Sequence, residues 1–178
     1  YKDKRIHVIE NQENLGQVKS LNIGLGEARG EYVARIDQDD LMMENRLERQ
    51  LDFLDKRPDI AAVGTWGEAM DEGGQVFEKV RMPISNEEIV GSVLFCGYFL
   101  MHTAAMFRND LVIGVGKYNE SLSFSEDFDL WARLLLKKYK LANIPEFLVK
   151  HRCHRKSSSR QFPELQLKNT RASMSNFI

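Results

Sequence analysis

Gly30-Glu31-Tyr32-Val33-Ala34-Arg35-Ile36-Asp37-Gln38-Asp39-Asp40-Leu41 is the stretch whose reading decides the fold. An apolar run over residues 32–36 stops on three carboxylates, and a helix is expected a few residues later. A near-continuous apolar run marks a strand buried within a sheet, and ligands of open α/β sheets bind at the strands' carboxyl ends. Asp37 and Asp39 are two apart, so an extended backbone points both side chains to one side, Cα atoms about 6–7 Å apart. That arrangement suits one divalent cation, or a cation and a sugar hydroxyl. A second Asp-x-Asp, Asp127-Phe128-Asp129, falls inside a predicted helix instead. Asp also serves turns and helix N-caps well, so residues 37–40 read equally as a turn leading into the helix.

Working outward, residues 5–9 read as a short strand and 10–15 as a polar loop. Gly16 opens a helix to about Ala28, with Val18, Leu21, Leu25 and Ala28 at helical spacing, and Gly30 ends it. Downstream, Met43, Leu47, Leu51 and Leu54 mark an amphipathic helix stopped by Pro58. Residues 60–70 are strand-like, Asp71-Glu72-Gly73-Gly74 is a hairpin turn, and 75–82 return as a strand. Pro83 and Asn86 introduce a helix toward Leu94; 103–107 read as a strand and 111–117 as a glycine-rich loop. Ser123-Phe124-Ser125-Glu126 fits a capping box, followed by a helix with Phe128, Trp131, Leu134 and Leu135 on one face. Residues 142–150 hold one or two short strands around Pro145, and a helix is predicted from Pro163. Strands alternating with helices give an α/β fold with a mostly parallel sheet and one antiparallel hairpin. Residues 1–160 read as the domain and 161–178 as a tail.

The 178 residues are 43% hydrophobic, enough for one domain with a real core. A net charge of −1 gives no global pull toward nucleic acid. Charge is uneven, however: residues 151–160 carry Arg152, Arg155, Lys156 and Arg160 with His151 and His154, and no acidic residue. Cys96 and Cys153 lie far apart without metal spacing, which suits a reducing compartment. The longest apolar run, 89–101, is too short to span a bilayer and holds two glycines. A cytoplasmic protein, at most peripheral at the inner face of the membrane, is expected. The chain opens on Tyr1 and enters what reads as an internal strand, as a domain missing its front would.

No Gly-x-Ser-x-Gly, phosphate-cradling Gly-x-x-x-x-Gly-Lys or Cys-x-x-Cys is present. Asn14-Leu15-Gly16, Leu21-Asn22-Ile23-Gly24-Leu25 and Ala28-Arg29-Gly30-Glu31-Tyr32-Val33 lead into the aspartate stretch. Arg46-Leu47-Glu48-Arg49-Gln50-Leu51, Pro58-Asp59-Ile60 and Ser125-Glu126-Asp127-Phe128-Asp129-Leu130-Trp131 follow. In this order and spacing they resemble the middle of a family 2 glycosyltransferase, the large inverting family with the GT-A fold. The resemblance covers most of residues 5–159.

The resemblance implies a GT-A three-layer sandwich that lacks its first strands. It implies transfer of a sugar from a nucleotide-diphosphate donor, a UDP-sugar first, to a saccharide or lipid-linked acceptor in polysaccharide or glycolipid synthesis. Asp37 would meet the ribose or diphosphate side of the donor. Asp39, with Asp37 and His154 or His151, would hold Mg2+ or Mn2+. Asp127 would be the general base, with Glu126 beside it. Asn22, Arg152 and Arg155 would lie on the donor, the arginines meeting phosphate bidentately. Plainer roles compete at each position: Glu126 as a capping residue, Asp127 as a partner of the helix dipole, the histidines as the end of a surface strand. The basic run reads also as a solvated loop, Asn14 and Asn22 as satisfying loop backbone, and Trp131 as core.

Two further readings stand beside the enzyme. One is an aspartate-nucleophile phosphatase, which also places Asp-x-Asp after an apolar strand but prefers Thr or Val where Leu41 stands. The other is a non-catalytic fragment that binds a partner or forms a homodimer through a bare sheet edge.

Overall fold

The computed structural model describes residues 3–95, 98–154 and 163–175. In chain order the elements are α1 (Gln17–Glu27), β1 (Tyr32–Ala34), β2 (Leu41–Met42), α2 (Arg46–Lys56), β3 (Ile60–Met70), β4 (Val76–Val80) and α3 (Asn86–Leu94). A 3₁₀ turn (His102–Ala104) leads to β5 (Met106–Arg108), α4 (Asn109–Gly114), α5 (Glu126–Leu136), β6 (Lys140–Arg152) and α6 (Pro163–Ser175).

The sheet runs β1-β5-β3-β6-β2, with β4 added as a hairpin on the far half of β3. β3 is buried almost throughout and forms its longest ladder, a parallel one, with β6. The other four pairings are antiparallel, so the sheet is mixed rather than mostly parallel. The antiparallel pairings come from β1, β2 and β5, strands of only two or three residues, and from the β3–β4 hairpin. β6 is one long strand despite Pro145: the register steps from Thr65↔Ile144 to Trp66↔Phe147, so Pro145 and Glu146 leave the ladder.

Alternation along the strands sorts the core into two faces. Ala62, Phe107 and Leu141 pack with Trp131, Leu130 and Leu134 on the α5 side. Their chain neighbours Val63, Met106 and Ala142 pack with Leu54 of α2 on the other side. Helices therefore cover both faces, giving three layers. Two glycines on β3 are closely approached: a Cβ on Gly64 would lie 2.1 Å from Asn143 Oδ1 and one on Gly67 2.7 Å from Met101 Sδ, so a side chain at either position requires that neighbour to shift.

Several expectations are corrected. Residues 5–9 form no strand; Ile6, Val8 and Ile9 are exposed and no described strand pairs with them. Residues 111–117 are not a loop, since α4 covers the first half and stops where Gly116 takes a positive φ of 93°. Residues 103–107 divide into the 3₁₀ turn and β5. α2 presents a different face from the one its leucines suggested: Arg46, Gln50 and Leu54 are buried while Leu47 and Leu51 are 42% exposed. The capping box lies elsewhere too. Ser85 accepts from Glu88 N–H and Glu88 reaches back to the Ser85 N–H at α3, whereas Ser125 caps α5 without a side-chain hydrogen bond. Glu126 is thus the first residue of α5 and not a capping partner. Among the described residues no helix is long and apolar enough to cross a membrane.

Candidate active site

β1 ends at Ala34, but the chain stays tied to the residues before β5, Arg35 N–H donating to the Ala105 carbonyl at 2.9 Å, until a turn closes with Asp40 N–H donating to the Asp37 carbonyl at 3.2 Å. The turn, not an extended strand, therefore sets the relation of Asp37 to Asp39. Thr103 ties its two ends: the Asp37 N–H donates to Thr103 Oγ1 at 3.0 Å, and the same hydroxyl hydrogen-bonds the Asp40 carboxylate. Behind the turn lies the buried polar face of α2. Arg46 donates from Nη2 to the Arg35 carbonyl at 2.7 Å and from Nε to Gln50 Oε1 at 2.9 Å. Gln50 in turn donates to the carbonyls of Val63 and Ala104. Burial, and after it the charge of Arg35, pulls the Arg46 guanidinium down to about 10. Sequence reasoning missed this role for Arg46 and Gln50. The spacing 46, 50, 54 is as helical as the leucine spacing, and hydropathy selects the leucines.

The three carboxylates have separate partners. Asp37 forms a two-pronged pair with Arg35, at 2.6 and 3.0 Å. Asp39 Oδ2 lies 3.1 Å from His154 Nε2. Asp40 has a fully buried side chain that accepts from the Arg152 N–H at 2.7 Å and meets His151 Nδ1 at 3.1 Å. Burial pushes the Asp40 carboxyl up, but hydrogen bonds from His151, Thr103 and the Arg152 amide outweigh it and hold it below the usual range. The hydrogen bond to Asp40 raises His151 in return, against the opposing effect of burial.

The second half of the site is the start of α5. Phe124 takes a left-handed φ of 67° and delivers Ser125, Glu126 and Asp127 into the first turn. The Glu126 carboxyl is buried, its Oε2 has no hydrogen-bond partner, and burial followed by the charge of Asp127 pushes it up. Asp127 Oδ1 accepts from the Phe128 N–H at 2.7 Å. Burial pushes Asp127 up as well, offset by that hydrogen bond and by the charge of Arg35. Asp127 opens onto a cleft of about 280 Å³ walled by Tyr98, Phe99, Phe128 and Trp131 and closed by Gln166 and Thr170 of α6. α6 is held against the α5 side by Asn169 Nδ2, which donates to the Ser123 carbonyl at 2.8 Å.

The structure joins Asp39 to His154, sets Glu126 and Asp127 side by side at the start of α5, and lets the charge of Asp37 act on Asp127. His151 goes to Asp40 rather than Asp39. Arg152 donates to the carbonyls of Asp39, Asp71 and Glu72, so it clamps the aspartate turn to the hairpin. Asn22 faces elsewhere: its amide donates to the Tyr118 carbonyl and Glu120 and accepts from the Tyr118 N–H. Trp131 is core, as expected. Arg155, with Lys156 and Arg160, lies outside the described residues.

Among the described residues no group of three or more His, Cys, Asp or Glu is arranged to hold a metal ion. Asp39 and His154 offer one carboxylate oxygen and one imidazole nitrogen, a pair that suits Mn2+ or Mg2+ only when further oxygens come from a ligand. A diphosphate supplies such oxygens, so the residues fit a cation shared with the donor.

Comparison with known proteins gives the family and the fold. The glycosyl transferase family 2 model matches residues 1–116. The chain is 33% identical over 151 residues to the uncharacterized glycosyltransferase MJ1057 of Methanocaldococcus jannaschii, covering 85% of the chain and 52% of that protein. It is 34% identical over 145 residues to the amylovoran biosynthesis glycosyltransferase AmsE of Erwinia amylovora, covering 82% and 53% respectively. The mannosyltransferase PcManGT of Pyrobaculum calidifontis, solved with GDP-Man and Mn2+, superposes with a TM-score of 0.66 at 16% identity. That match covers 94% of this chain and 45% of the other, and the shared fold is GT-A. The chain spans about half the length of the curated relatives it matches. The chain belongs to glycosyl transferase family 2.

Proposed function

We propose that this protein is an inverting, metal-dependent glycosyltransferase. It moves a sugar from a nucleotide-diphosphate donor to an acceptor hydroxyl of a saccharide or lipid-linked substrate during polysaccharide or glycolipid synthesis. The reading rests on the hydrogen-bonded aspartate turn, with Asp39 on His154, and on the buried α5 carboxylate Asp127 at an aromatic cleft, with the charges of Asp37 and Arg35 acting on Asp127. An inverting displacement needs this arrangement, with the donor's leaving group held on one side and a base for the attacking hydroxyl on the other. Asp39 and His154 hold the cation, which supplies charge neutralisation for the leaving nucleoside diphosphate. Asp37 contacts the donor side and Asp127 accepts the acceptor proton. The pKa of Asp127, raised by burial, brings it nearer the working pH. Aromatic walls in the cleft suit the apolar face of a sugar ring. Residues 1–160 form the transferase portion, and the tail contributes α6 to the acceptor side.

The test is transfer from UDP- and GDP-sugars with manganese, reading product anomeric configuration by NMR. Product retaining the donor configuration would end the inverting assignment. Family membership removes the phosphatase reading. The non-catalytic, self-associating reading draws on β1 and β2, which end the described sheet order and leave two open edges. A dimer by size-exclusion chromatography with no calorimetric response to uridine diphosphate and manganese would favour it.

A further inference from the structure

We infer that Arg35 is a positioning residue that grips the donor-side carboxylate Asp37 and, through its charge, keeps the α5 carboxylate Asp127 able to act as a base. The inference rests on the reading of Asp127 as that base. Three observations carry it.

The first is the grip. Nη1 and Nη2 donate to Oδ2 and Oδ1 of Asp37 at 3.0 and 2.6 Å, a two-pronged geometry that a guanidinium matches and an ammonium does not. The second is immobility. The Arg35 side chain is 9% exposed, its N–H donates to the Ala105 carbonyl at 2.9 Å, and its own carbonyl is held by Arg46. Its Nε is buried without a hydrogen-bond partner. A cation burying that donor is held by its surroundings and is not an opportunistic surface pair.

The third is its place among charges. Tyr98, from the loop after α3, lines the same cleft as Asp127; the charges acting on Asp127 are those of Arg35 and Asp37 from the loop after β1, and Asp127 acts in turn on Tyr98, on Tyr118 from the loop after α4, and on Glu126 of α5 itself. The residues of α6 at the cleft, Gln166, Leu167 and Thr170, carry no charge. Of the groups named, Arg35 is the cation. A buried carboxylate beside two others is driven to keep a proton and would then be useless as a base. The Arg35 charge opposes that drift at both Glu126 and Asp127, while its fork fixes Asp37 toward the donor.

The two roles separate by substitution in the active protein. Arg35→Lys keeps the charge and loses the fork. It should raise the donor KM about tenfold and leave the acid limb of the kcat/KM pH profile in place. Arg35→Gln loses both and should also move that limb to higher pH, with folding checked by circular dichroism and thermal melting. A folded Arg35→Lys protein with wild-type donor KM overturns the grip. An unmoved acid limb in folded Arg35→Gln overturns the electrostatic role. Should Arg35→Gln not fold, the limb is read in Arg35→Lys, where any marked shift with charge retained overturns it. Asp127→Asn distinguishes the underlying reading: if it retains activity, the base assignment fails, whereas an inactive Asp127→Asn beside an indifferent Arg35 defeats this inference alone.

Discussion

Gly64→Ala is the substitution whose cost can be worked most directly from the structure. Gly64 on β3 pairs with Asn143 on β6, and the new Cβ would sit 2.1 Å from Asn143 Oδ1, 3.1 Å from Leu100 Cγ and 3.3 Å from Asn143 Cγ. Ordinary contact needs more than an ångström of extra room. Asn143 cannot yield it freely, because Nδ2 donates to the Pro83 carbonyl at 2.6 Å and the Phe99 carbonyl at 2.8 Å. Either those two bonds break, at about 1 kcal/mol or more each with carbonyls left buried, or the strands separate at an overpacking cost of about 1–3 kcal/mol. Either way the loss is about 2–3 kcal/mol, a large share of the ~5–15 kcal/mol that folds a domain. With a urea m-value of about 2 kcal/mol/M, the midpoint should fall by about 1–1.5 M at unchanged m. Asn143→Ala in the same chain removes the obstructing atom, so the double variant should be less destabilised than the sum of the singles. A Gly64→Ala midpoint within about 0.25 M of wild type, or strict additivity in the cycle, would refute the steric argument.

Three other outcomes follow from the site. Asp39→Ala should abolish transfer, costing several kcal/mol of transition-state stabilisation, and wild-type turnover in excess chelator would contradict the cation's role. Asp127→Asn should lower the rate by roughly 100-fold or more while leaving donor affinity, read by calorimetry, nearly intact. The Asp40–His151 pair should give a stability window. Asp40, lowered in the fold, contributes above its unfolded pKa and is lost as pH falls through its folded value; His151, raised, contributes below its unfolded pKa and is lost as pH rises through its folded value. The difference in melting temperature between wild type and Asp40→Asn should therefore be largest at roughly pH 4–6.5 and shrink on both sides. A difference flat from acid to alkaline pH would show that the pair is not linked to folding.

Much of this was legible in the sequence because local signals and tertiary environment agree there. α1 between Gly16 and Gly30, the unbroken run of β3 and the turn at Gly73-Gly74 each carry periodicity and punctuation of one kind. Legibility failed where packing overrode local pattern. α2 turns Arg46 and Gln50 inward because β1 and the 3₁₀ turn end in carbonyls that only long polar side chains can reach. The Ser123–Glu126 spacing satisfies the capping pattern, yet the left-handed Phe124 moves the helix start to Glu126. Asp39, Glu126 and Asp127 stand out as a set only through family likeness, since spacing alone leaves each with a plainer role. Arg35 was passed over because an arginine inside an apolar run looks like an interruption, and only the fold shows what it grips.

The two-residue ladder of β2 against β6 has a consequence for how such a chain can vary in length. Leu41 pairs with Lys150 and Met42 with Val149, so Asp40 and His151 are the next rungs, and Asp39 and His154 lie just past them. Adding or deleting one residue on either strand flips every following side chain to the opposite face. Such a change at 40–42 or 149–151 would carry a carboxylate or an imidazole to the wrong side, while every residue type needed for chemistry stayed in the chain. Insertions and deletions should therefore be purged from these six positions and collect instead at Gly73-Gly74, past the Asp71 and Glu72 carbonyls that Arg152 holds.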